Sequence, residues 1–156
     1  MSAAVTFIDT SVLLEVLKVP GKSQQPDVIA AELLARVQAK ESMVLPTAAI
    51  IETGNHIAQL PDGGARRRLA AGLSSFLRAA IGRDHPWTLN GARWDDALLG
   101  AICDGARGCL ALPEMACQGV GVGDVSILAE AEAYERRVAN VNVTIWTLDD
   151  GLRSYA

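Results

Sequence analysis

The stretch Val5-Thr6-Phe7-Ile8-Asp9-Thr10-Ser11 narrows what this chain can fold into. Val5 to Ile8 is a short β-favouring run. Val12, Leu13, Val16 and Leu17 then follow at helical spacing. Thr10 or Ser11 is placed to cap that helix by accepting a bond from an orphan N–H. Asp9 thus falls where a strand ends and a helix starts, the edge of an open α/β sheet at which ligands bind. A second such run lies near the C-terminus. Val141, Val143 and Ile145 alternate with Asn142 and Thr144, Trp146-Thr147-Leu148 completes the strand, and Asp149-Asp150-Gly151 follows.

Between these runs, strand and helix patterns alternate. The first helix stops before Pro20-Gly21. Val28, Ile29, Leu33, Leu34 and Val37 predict a second helix, with Asp27 as its N-cap. Met43-Val44-Leu45 predicts a strand, ended by Pro46-Thr47, and Thr47 caps a helix through Leu60. Residues 65–82 read as a helix, Pro86-Trp87-Thr88-Leu89 as a short strand, and Ala92 to Ala106 as a helix. Residues 107–123 read as loop with at most a helical turn, and Val125 to Val138 as a helix. Such alternation implies an α/β sheet that is mostly parallel. The two strongest strands, first and last, are expected side by side in its centre.

The 156 residues fit one domain spanning 1–156 with no dividing linker. Half are hydrophobic and the mean hydropathy is +0.21, so an apolar patch kept for a partner is expected. Asp9 and Glu15 interrupt the N-terminal apolar run, and nothing approaches the ~18 residues of a membrane span. There is no basic n-region, so no signal peptide is read. The three cysteines lack paired C-x-x-C spacing and suggest neither a disulfide framework nor zinc; the expected compartment is cytoplasmic. A net charge of −4 argues against a passive nucleic-acid coat protein.

Four acids organise the functional reading. Asp9 and Asp149 each follow a strand, and parallel strands deliver both to one edge. Glu52 lies on the helix after the second strand. Asp124 stands in the first turn of the helix that follows Gly119, Gly121 and Gly123. Carboxylates packed together repel and resist ionising. A hard divalent cation, Mg²⁺ or Mn²⁺, removes the conflict through oxygen ligands at about 2.0–2.1 Å. It also acidifies bound water and neutralises a phosphodiester in the transition state. The hydroxyls of Thr10, Ser11, Ser126 and Thr147 are placed to orient carboxylates or waters.

Four segments together resemble the PIN-domain family, and within it the VapC-like toxin ribonucleases. They are Phe7-Ile8-Asp9-Thr10-Ser11 with its apolar helix; Leu45-Pro46 through Ile51-Glu52; Gly123-Asp124 opening an alanine-rich helix; and Thr147-Leu148-Asp149 with Leu152 beyond. The resemblance covers nearly the whole chain in the family's order. It implies a PIN-like three-layer sandwich, Mg²⁺- or Mn²⁺-dependent cleavage of RNA, and a cognate antitoxin. The family's acids carry over to Asp9, Glu52, Asp124 and Asp149 as catalytic residues, with Asp9, Asp124 and Asp149 on the metal. Its hydroxyls carry over to Thr10, Ser11 and Thr147. The T-x-D spacing favours Asp149 over Asp150. The stretch from Leu89 to Asp124 is longer than in a small family member. The partners expected are an RNA substrate, an antitoxin protein and a second copy of the chain, with no membrane.

Other features are weighed beside this reading. Arg66, Arg67 and Arg68, with Arg78 and Arg83, are candidates to hold RNA phosphates, or a solvated face. Leu13, Leu17, Val28 and Leu33 are candidates for a groove receiving an antitoxin segment. Asp95, Asp96 and Asp104 read as solvated helix residues. Competing functions are a PIN nuclease of RNA processing, a haloacid-dehalogenase-like phosphatase, and a non-catalytic metal-dependent binding module. The phosphatase pattern D-x-D is broken by Ser11, and the adhesion pattern D-x-S-x-S by Leu13.

Overall fold

A computed structural model describes residues 1–156. In chain order the elements are β1 (Ala3–Ile8), α1 (Thr10–Val16), α2 (Pro26–Gln38), β2 (Ser42–Val44), α3 (Thr47–Ala58) and α4 (Gly63–Gly82). Then come β3 (Trp87–Thr88), α5 (Asp96–Asp104), α6 (Leu112–Cys117), α7 (Val122–Arg137), β4 (Val141–Trp146) and α8 (Asp150–Arg153). The four strands form one sheet in the order β3-β2-β1-β4, and every neighbouring pair is parallel.

Side chains alternate across a strand, so β1 feeds two cores. Phe7 joins Val44, Val143 and Ile145 with Leu98, Met115, Ile127 and Leu128 from the helices on one face. Ile8 joins Met43, Trp87 and Trp146 with Val12, Leu13, Ile29, Leu69 and Leu73 on the other. Helices thus cover both faces of the sheet, and the fold is a three-layer α/β sandwich. No helix is long and apolar enough to cross a membrane.

The outer strands run side by side as expected, but β1 is central while β4 is an edge. The alternation in β4 carries the reason. Val143 and Ile145 are buried, whereas Asn142 and Thr144 stay exposed, the pattern of a strand wet on one face. Register matters more for the site. Ile8 pairs with Trp146, and the Asp9 N–H donates to the Trp146 carbonyl at 3.0 Å. The next residues, Asp9 and Thr147, therefore leave the sheet at the same level.

Several helix starts differ from the sequence expectation. Gln25, not Asp27, is the N-cap of α2, because Pro26 takes the first helical position that its fixed φ suits. Asp9 itself is the N-cap residue of α1, and Thr10 already lies within the helix. Pro46 precedes α3, and the Thr47 N–H is taken by the carboxylate of Glu130 at 3.0 Å. The helix expected over 92–106 begins only at Asp96; Asp95 caps it by accepting the Leu98 N–H. The 107–123 segment contains α6.

Two buried carboxylates were not singled out from the sequence. Glu130 is fully buried and accepts from the Thr47 N–H, the Trp94 indole N–H at 3.0 Å and the Asn90 amide. It fastens the start of α3 and the 90–94 segment to α7. Glu15 is 4% exposed and accepts from the Ser23 hydroxyl and the Gln24 and Gln25 N–H groups. Burial pushes its carboxyl up, but the hydrogen bonds from Gln24, Ser23 and Gln25 outweigh burial and hold it below the ordinary range. This carboxylate ties the residues just before α2 to the end of α1.

Candidate functional site

Asp9 is 3% exposed at the end of β1. Its Oδ2 accepts from the Ser11 hydroxyl and from the Thr147 hydroxyl, each at 2.7 Å. Those hydroxyls are also acceptors. Ser11 Oγ takes the Leu148 N–H and Thr147 Oγ1 takes the Asp149 N–H, both at 2.9 Å. A hydroxyl has one proton to give and lone pairs to receive, and each here gives its proton to Asp9 and takes one backbone N–H. The result is a rigid link from Asp9 to the backbone that carries Asp149.

Asp149 is exposed and is the N-cap of α8, with Oδ1 accepting the Gly151 N–H at 2.8 Å. Asp150 instead pairs with Arg153 at 3.0 Å. Glu52 lies midway along α3, half-buried, and its Oε2 accepts from the Thr10 hydroxyl at 2.8 Å. Thr10 belongs to the first turn of α1, so this bond joins α3 to the end of β1.

Asp124 is the third residue of α7 and half-buried. Its carboxyl is pushed up to about 6, first by burial and then by the charges of Asp9, Asp149 and Glu52. The Gly121 N–H works against that rise, as expected of an acid reaching back to the start of its helix. Four acids from four separated segments therefore share one electrostatic field, and Asp149, not Asp150, is the fourth.

The donor chemistry suits a hard cation. All candidate ligands are carboxylate oxygens, and the hydrogen bonds fall on Asp9 Oδ2, Glu52 Oε2 and Asp149 Oδ1, leaving the other oxygen of each without a protein donor. No three His, Cys, Asp or Glu side chains are gathered into a ready-made cage. Mg²⁺ and Mn²⁺ keep several waters, so such a cage is not what they require.

The remaining sequence candidates divide. Ser126 does not orient an acid; its hydroxyl donates to the Gly123 carbonyl at 2.7 Å. Arg66 donates to the Leu60 carbonyl at 2.7 Å. It stands exposed on α4 with Arg67 and Arg68, and none of the three bonds to the acids. A trough of about 450 Å³ touches Thr147 but none of the four acids, and is lined by Asn142, Thr144, Trp146, Arg153 and the Arg36–Glu41 pair. Of the groove candidates, Leu13 is wholly buried in the core. Leu33 does line an apolar groove of about 280 Å³, with Val16, Pro26, Leu34 and Val37. Val28 is exposed and Leu17 half-buried. Compared with known protein families, curated proteins and solved structures, the chain matches none.

Proposed function

We propose that this chain is a metal-dependent endoribonuclease of the PIN type, the toxin of a toxin–antitoxin pair. The observation that carries the reading is the convergence of Asp9, Glu52, Asp124 and Asp149 on one edge of a parallel sheet, where ligands of such sheets bind. Asp9, Asp124 and Asp149 would hold Mg²⁺ or Mn²⁺, which would neutralise the charge of a phosphodiester and acidify a water.

The chain's own groups do the rest. Ser11 and Thr147 hold Asp9 in one orientation, which leaves its Oδ1 toward the ligand. Thr10 holds Glu52, whose Oε1 is the acceptor for a proton from the attacking water. Asp124, with its carboxyl near 6, retains a minor protonated fraction at pH 7 and gives up that proton when a cation arrives. The trough beside Thr147 is a path for the RNA strand, with Arg153 at its wall. The antitoxin takes the groove between α1 and α2 through an apolar segment. A second copy of the chain belongs to the same reading, and light scattering reads it out.

The test is an RNA cleavage assay with Mg²⁺ or Mn²⁺ against EDTA, beside circular dichroism. Asp9→Asn is expected to keep the fold and lose cleavage, because an amide replaces a hard oxygen donor poorly. A folded Asp9→Asn protein cutting RNA at the wild-type rate refutes the site. Co-purification with the product of the adjacent gene separates a toxin from a nuclease of RNA processing.

A further inference from the structure

Gly123 is the second residue of α7 and has ordinary helical backbone with no positive φ. Helix propensity alone favours alanine here. A Cβ at position 123 would overlap Glu52 Oε1 and lie 3.1 Å from Glu52 Cδ, so the end of that side chain would have to move. The next neighbour, the Ala48 methyl one turn earlier on α3, is at an ordinary 3.8 Å. The Glu52 carboxylate therefore points its Oε1 end-on at the bare first turn of α7, and its other oxygen is tied to Thr10. The Ser126 hydroxyl, bonded to the Gly123 carbonyl, fixes the peptide it rests on.

We infer that Gly123 is a positioning residue: its missing side chain is the space that sets Glu52 beside Asp124. The colliding atom is the far end of a flexible side chain, not backbone. Gly123→Ala therefore spares the fold and displaces the Glu52 carboxylate, breaking its bond to Thr10. The inference deepens the nuclease reading and rests on it for its functional half, while the contact itself is tested separately.

The experiment has two arms on the full chain. The first is a thermal double-mutant cycle in EDTA with Gly123→Ala and Glu52→Ala. With Glu52 already removed, Gly123→Ala is expected to raise Tm by about 2–3 °C through helix propensity; with Glu52 present, that gain disappears. Equal shifts in both backgrounds overturn the inference. The second arm titrates Mn²⁺ by electron paramagnetic resonance beside RNA cleavage. Gly123→Ala is expected to weaken Mn²⁺ binding by about 10–100-fold, the usual result of releasing a group that orients a metal site, and to cut cleavage no further when Glu52→Gln is added. Wild-type Mn²⁺ binding and cleavage by Gly123→Ala overturn the positioning role even if the thermal cycle couples. A wild-type chain that neither binds Mn²⁺ nor cleaves RNA overturns the nuclease reading and the role together, and the thermal cycle then still decides the contact.

Discussion

Asp124→Asn should make the metal-free protein more stable at neutral pH while destroying its capacity for metal. The carboxyl moves from an ordinary 3.8 to about 6 in the folded chain. A group whose folded value is raised binds its proton more tightly in the native state. Its contribution is complete below pH 3.8 and is lost as pH rises through 6. At about 1.4 kcal/mol for each tenfold change, full ionisation forfeits up to about 3 kcal/mol. Solvent reaches this half-buried group and screens part of that, and Asn gives up part of the bond to the Gly121 N–H, worth about 0.5–1 kcal/mol. A net gain of about 1–2 kcal/mol remains at pH 8, or a Tm higher by about 3–6 °C for a chain of this size. At pH 4 the variant should equal the wild type or fall slightly below it. Differential scanning calorimetry in EDTA from pH 4 to 8 measures this. Added Mg²⁺ should then raise the wild-type Tm and leave the variant unmoved. A variant less stable at pH 8, or a difference that does not change with pH, would show that burial and the neighbouring acids do not hold Asp124 above its ordinary range.

Three further outcomes are expected. Glu15→Gln should destabilise by about 1–3 kcal/mol at pH 7, and the gap should close as pH falls below 4.5, since a depressed carboxyl loses its contribution in acid; a gap in urea unfolding that is equal at pH 7 and pH 3 refutes this. Glu130→Leu should cost more than about 3 kcal/mol, because it strands the Thr47, Asn90 and Trp94 donors, with a change in Trp94 fluorescence; a cost under about 1 kcal/mol rejects the anchor. Replacing Arg66, Arg67 and Arg68 with Ala should leave the log–log salt slope of RNA binding unchanged if the strand follows the trough at Thr147, whereas a fall of ~0.7 per arginine would return the strand to α4.

Much of the site was legible because periodicity marks where a strand stops. Asp9 and Asp149 each end a β pattern, and parallel pairing brings them to one edge. Edge position was legible too, and was misread. The Asn142 and Thr144 alternation marks a strand with one wet face, while the unbroken Val5 to Ile8 run marks the buried centre. Glu15 and Glu130 gave no signal. A carboxylate on a helix looks solvated until the chain folds, and the Thr47 N–H that Glu130 accepts lies 83 residues away in sequence. Gly123 is expected just before the helix of Asp124 but lies inside it; its significance is the volume it leaves empty, which has no signature in one dimension.

The bond between Thr147 and Asp9 spans 138 residues of sequence. Asp9 is made well before its partner hydroxyl and the fourth acid. During synthesis the half-made chain carries the first acid and its helix but has no β4 to hold them. Closing so distant a pair is slow relative to local helix formation. The bond that orients Asp9 is therefore absent from the nascent polypeptide until β4 and Thr147 have been made.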